Sequence, residues 1–144
     1  MTFHLNFILF SDFSVEEREY IESLRSREAK YQPGTDYMER QPFISSAMRC
    51  INVHWLAQLQ KDLRLCPSTL FIAVNILDRY LSSWVVTRYS LQLFAATSLW
   101  IAAKFQEQKH FKLFDHLFRS CKPNYPNVSK KDFLVGRSFC CFLF

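Results

Sequence analysis

Thirteen residues, Leu91–Ala103 (LQLFAATSLWIAA), place an apolar or small side chain at almost every position, with no break for a turn. A helix over this stretch is apolar on every side, so it needs protein on every side. The run is too short to cross a bilayer, and Lys104 closes it. The spacing predicts a helix over about Arg88–Phe105 at the centre of a bundle, with alanines that let its neighbours approach closely. The rest of the chain agrees. Gly34 and Gly136 are the only glycines in 144 residues, so tight turns are few and long helices are favoured over a many-turned β fold. The expected class is all-α.

Around the central helix the pattern supplies partners. Ser14-Val-Glu-Glu17 has capping-box spacing and opens a charged helix to about Lys30, with a narrow stripe of Tyr20, Ile21 and Leu24. Pro33-Gly34 ends it. Residues 35–44 read as a connector. Ser45 or Ser46 then caps a helix to about Leu65, with Met48, Ile51, Trp55 and Leu59 near helical spacing. Pro67 suits the first turn of the next helix, where Leu70, Val74, Leu77 and Leu81 recur and Asp78 and Arg79 interrupt. A shorter helix is expected over Phe111–Arg119, burying Leu113, Phe114, Leu117 and Phe118. After a loop containing Pro123 and Pro126, Ser129-Lys-Lys-Asp132 opens a last helix.

Catalytic patterns are missing. The sequence has no G-x-G-x-x-G, no P-loop and no nucleophile elbow. His110 and His116, six residues apart, do not share a helical face, so no metal site is expected near Asp115. The five cysteines (Cys50, Cys66, Cys121, Cys140, Cys141) are odd in number and lack C-x-x-C spacing, which points to a reduced compartment, nucleus and cytoplasm. Met1–Phe10 is apolar but has neither a basic start nor a small-residue cleavage site, so no targeting segment and no membrane partner are expected. The net charge is +5, with the basic excess between Lys104 and Arg137. These features fit a binding module without a cofactor, not an enzyme.

Three runs in register carry a family resemblance. Tyr37-Met-Glu-Arg-Gln-Pro42 and Met48-Arg-Cys-Ile-Asn-Val-His-Trp-Leu56 resemble the cyclin motif MRAILVDWL and its lead-in. Thr69-Leu-Phe-Ile-Ala-Val-Asn-Ile-Leu-Asp-Arg-Tyr-Leu-Ser82 is similar to ETLYLAVNYIDRFLS. Arg88-Tyr-Ser-Leu-Gln-Leu93 with Ala102-Ala-Lys-Phe-Gln-Glu107 is similar to RxxLQLVG and ASKFEE. The chain therefore resembles the N-terminal cyclin box of mitotic A/B-type cyclins over about residues 14–135. Residues 1–13 form an N-terminal tail, 136–144 a divergent tail, and no second box is expected. The resemblance implies a five-helix bundle preceded by an N-terminal helix, with the fifth box helix incomplete. It also implies a regulatory subunit that binds a cyclin-dependent protein kinase and favours its active conformation.

The resemblance assigns roles residue by residue. Arg49 and Asp78 match the pair that ties the first and second box helices together. Lys104 matches the lysine that reaches the kinase's mobile C helix, and Phe105 an apolar contact on the same face. Tyr20 and Ile21 resemble the N-terminal segment that packs on the kinase from outside the box. Met48, Ile51 and Trp55, with Arg88, Leu91 and Gln92 on the next wall, match the shallow groove that docks RxL-type substrate peptides.

Two departures follow from the same alignment. Asn52, His54 and Gln58 replace a leucine, an aspartate and an acidic residue of the groove, so RxL docking is expected to be weakened. In the last helix, Ser129–Val135 keeps the family pattern SKKQVLR. Gly136 and Arg137 then stand where Met and Glu belong, putting a cation where the partner of Lys104 should be. A nonproductive truncated fragment is the alternative reading. A cyclin-fold transcription or nucleic-acid adaptor using the basic stretch 104–131 is less favoured.

Overall fold

A computed structural model of the chain describes residues 14–108, 113–121 and 129–132, and every regular element among them is helical. The chain divides between Gln32 and Pro33 into two compact units.

In the first unit, α1 spans Val15–Glu28. Its capping box forms in both directions: Glu17 N–H donates to the Ser14 hydroxyl at 3.3 Å, and Ser14 N–H donates to the Glu17 carboxylate at 2.8 Å. Acids at its start and Arg25 and Arg27 in its last turn suit the helix dipole. None of its residues is buried; Ile21 is half-buried. A 3-10 turn, Ala29–Tyr31, follows.

The second unit holds α2 (Ser46–Asp62), α3 (Pro67–Ser83), α4 (Arg88–Gln106) and α5 (Leu113–Cys121). Helix α4 is the hub, with α2, α3 and α5 all packed against it. Residues Ala95–Ala103 are buried without interruption, as an all-round apolar helix requires. Its two buried hydroxyls need no outside partner. Thr97 donates to the Leu93 carbonyl and Ser98 to the Phe94 carbonyl, both at 2.8 Å. Ser45 caps α2 through Met48 N–H, and Thr87 caps α4 through Ser90 N–H.

Three expectations shift in detail. Helix α2 ends at Asp62 rather than near Leu65. Arg64 takes a left-handed backbone (φ 53°) and donates to Lys61 O, while Leu65 N–H returns to Gln60 O. This is the Schellman closure, with arginine where glycine is usual. The buried face of α3 centres on Ala73, Ile76, Leu77 and Tyr80, while Leu70 and Val74 flank it half-buried. Helix α5 buries Leu113, Leu117 and Cys121. Phe114 and Phe118 sit half-buried, with Phe114 4.9 Å from the Trp100 ring.

A helical turn begins again at Lys130–Asp132. Ser129 caps it, and Asp132 answers by accepting from Ser129 N–H and Oγ. Those two bonds hold the Asp132 carboxyl below the usual carboxylate range. Gly136 and Arg137 lie outside the described residues, as does His110.

Candidate functional site

The connector before α2 carries the first functional constellation. Arg49, one turn into α2, meets Asp78, near the middle of α3, in a two-pronged pair: Nε to Oδ1 at 2.6 Å and Nη2 to Oδ2 at 2.5 Å. Tyr37 donates its hydroxyl to the same Oδ1 at 2.8 Å. The Asp78 bonds push the Arg49 guanidinium pKa further up. Burial, reinforced by the Asp78 charge, pushes the Tyr37 phenol up to about 12. The phenol is therefore locked as a donor and the guanidinium as a cation.

Gln41 works the other end of α3. Its amide nitrogen donates to the carbonyls of Leu81 and Trp84, both at 2.7 Å, and its amide oxygen accepts from Val86 N–H at 3.0 Å. One buried side chain thus satisfies three backbone groups where α3 ends and the link to α4 begins. Sequence reading gave Tyr37 and Gln41 no role, although both stand in the first resembling run. A tyrosine and a glutamine just ahead of a capped helix were the available signal.

Lys104 and Phe105 lie in the last turn of α4. The Lys104 ammonium sits 4.0 Å from the centroid of the Trp100 ring, one turn back, which fixes it by cation–π attraction. Phe105 is 70% exposed immediately after the fully buried Ala102 and Ala103. Phe105 thus presents an exposed phenylalanine at the end of the most buried helix.

Tyr20 and Ile21 belong to α1 in the first unit, Tyr20 exposed and Ile21 half-buried.

The predicted groove residues separate by depth. Met48, Ile51 and Trp55 share one face of α2 by their spacing. Ile51 is 69% exposed, while Met48 and Trp55 pack partly into the core. On α4, Arg88 is exposed, Gln92 half-buried and Leu91 only 2% exposed. Leu91 therefore belongs to the core beneath that face. The three replacement residues are occupied locally. Asn52 Nδ2 donates to Met48 O at 2.9 Å, and Gln58 Nε2 lies 3.2 Å from His54 Nε2. Beside Arg88 opens a shallow cleft of about 500 Å³ lined by Pro42, Phe43, Thr87, Arg88 and Tyr89.

Among the described residues no cluster of His, Cys, Asp or Glu could hold a metal ion, and no helix is long and apolar enough to cross a membrane. Cys121 is buried, and burial pushes its thiol up to about 12, which leaves it a core residue and a poor nucleophile.

An all-helical bundle around one buried helix, pinned by a two-pronged Arg–Asp pair, defines the class of protein. Residues 19–134 match the family model "Cyclin, N-terminal domain". The chain belongs to the cyclin family. It is 48% identical over 85 residues to Cyclin-A1-1 of Arabidopsis thaliana, a stretch covering 58% of this chain and 18% of that protein. It is 46% identical over 84 residues to Cyclin-A1 of Carassius auratus, covering 58% and 22%. It is 38% identical over 112 residues to the G2/mitotic-specific cyclin-B of Emericella nidulans, covering 76% and 23%. The chain thus spans about a fifth of the length of these relatives.

Proposed function

We propose that the chain is a regulatory subunit, not an enzyme, that binds a cyclin-dependent protein kinase through the end of α4 and favours the kinase's active conformation in cell-cycle control. The observation that carries this reading is the pairing of Lys104, lying over the Trp100 ring, with the exposed Phe105 at the end of α4. An apolar side chain beside an oriented cation suits a helix whose apolar face is flanked by carbonyls or acids. Holding the kinase C helix inward assembles the kinase's own Lys–Glu pair. The cyclin supplies only tighter binding to the active state, which is what a ligand can contribute to a two-state equilibrium. No cofactor is needed, and the nucleus and cytoplasm are where such a subunit works.

Docking of RxL-type peptides is a weakened second activity in this reading, because the groove carries an amide and no described acid at its three replaced positions. The nucleic-acid reading loses ground to one contact: Lys130 is paired with Asp115 at 3.0 Å, which neutralises part of the basic stretch.

Titration calorimetry with a purified mitotic cyclin-dependent kinase tests the proposal, with kinase activity measured in parallel. Binding and activation that both fall in Lys104→Ala and Phe105→Ala support it. Binding without activation favours the nonproductive reading that Arg137 suggests, and restoring Glu at position 137 then discriminates the cause. No binding by the folded chain refutes both.

A further inference from the structure

Helix α3 begins without a cap of its own. Its N-cap residue, Cys66, makes no side-chain capping bond, and Pro67 follows. The cap arrives from a distant part of the chain. Glu107 Oε1 accepts from Cys66 N–H at 2.7 Å and from the Thr69 hydroxyl at 2.6 Å. Thr69 is fully buried, so its hydroxyl depends on that carboxylate. A negative charge placed at the positive end of α3 adds dipole attraction to both bonds.

Glu107 is at the same time the C-cap of α4, where its N–H donates to Ala103 O at 2.8 Å. One residue therefore closes α4 and opens α3. Lys104 and Phe105 stand in the turn between Ala103 and Glu107, the turn that frays first in an untethered helix.

We propose that Glu107 is a positioning residue for the kinase-binding face: it clamps the last turn of α4 onto the first turn of α3 and so fixes the direction of Lys104 and Phe105. The consequence for binding rests on the function proposed above; the clamp does not. A contact surface already ordered before association avoids the entropy of ordering it at the interface.

The test uses the full chain as wild type, Glu107→Ala, Glu107→Gln and Thr69→Val, read by amide hydrogen exchange and by affinity for a purified mitotic cyclin-dependent kinase. Glu107→Ala is expected to speed exchange at residues 104–107 while leaving Ala95–Trp100 protected, and to weaken kinase binding by about tenfold. Glu107→Gln keeps an acceptor and falls between Ala and wild type, and Thr69→Val also weakens binding. In the Glu107→Ala background, Lys104→Ala costs less affinity than in wild type. Unchanged exchange at 104–107 overturns the clamp, and so does a uniform rise across α3 and α4, which is global destabilisation. Local loosening with undiminished kinase affinity overturns the positioning role. If the wild type itself binds no kinase, the functional proposal fails, and the clamp stands or falls on the exchange data alone.

Discussion

Arg49 grips both carboxylate oxygens of Asp78, at 2.6 and 2.5 Å, and Tyr37 gives the carboxylate a third donor, the second on the oxygen that Arg49 Nε already holds. The side chain of Asp78 is 10% exposed, so its charge is sustained by these partners and not by water. Removing Arg49 strands that charge. Arg49→Ala is expected to cost about 3–5 kcal/mol in denaturant unfolding, and Tyr37→Phe about 1–2 kcal/mol. The two losses share one acceptor, so the double variant should lose less than their sum. Strict additivity would count against a shared network.

Alkaline pH should attack the same region. Burial pushes the Cys121 thiol from 9.0 to about 12 and, with Asp78, the Tyr37 phenol from 10.0 to about 12. Both folded values lie above the unfolded ones. The folded chain thus holds these protons more tightly, and the associated stability is intact below pH 9 and lost as pH rises towards 12. The stability of Tyr37→Phe/Cys121→Ala should be lower than that of wild type at neutral pH and fall less steeply between pH 9 and 12. An unchanged slope rejects the assignment.

Thiol chemistry separates the cysteines at neutral pH. Cys50 and Cys66 are exposed and Cys121 is buried. Brief alkylation followed by peptide mass mapping should label the first two and spare Cys121 until the protein is unfolded. Early labelling of Cys121 would show that α5 opens readily.

Arg64 offers a stabilising change. A non-glycine residue at φ 53° carries a steric cost of about 1–2 kcal/mol, and glycine removes it at an entropic cost of about 0.5–1 kcal/mol. Arg64→Gly is expected to raise stability by about 0.5–1 kcal/mol, seen as a higher Tm in calorimetry. A lower Tm means the arginine side chain contributes a contact worth more than the strain.

Local signals made much of this fold legible. The all-round apolar Leu91–Ala103 declared the central helix, and Ser14, the Ser45-Ser46 pair and Ser129 marked helix starts, because those signals lie within one or two turns of sequence. The face of α3 was read one step off centre, since Leu70 and Val74 are as apolar as Ile76 and only packing against α4 chooses between them. Tyr37, Gln41 and Glu107 escaped as working residues for a different reason. Each bonds a partner 38 to 45 residues away, and no periodicity reports such a bond. At the groove, Leu91 was placed on the docking wall by the family resemblance, whereas in the structure it is 2% exposed and lies in the core beneath Arg88 and Gln92.

The groove itself can be asked to regain what its replacements removed. Asn52 turns its amide back onto Met48 O, so it presents a hydrogen-bonded polar group where a leucine would present apolar surface. His54 and Gln58 lie against each other one turn apart and offer no negative charge to a basic peptide. Asn52→Leu adds apolar area worth about 1–2 kcal/mol if a peptide covers it. His54→Asp and Gln58→Glu restore carboxylates, each worth at most about 1 kcal/mol at an exposed site and screened by salt. The triple variant should therefore bind an RxL peptide at least about tenfold more tightly than wild type in fluorescence polarisation. Part of the gain should vanish at high salt, and the Asn52→Leu share should not. Equal affinity of wild type and triple variant would mean that the peptide does not lie over Met48, Ile51 and Trp55. The cleft between Phe43 and Tyr89 would then be the next surface to probe by substitution.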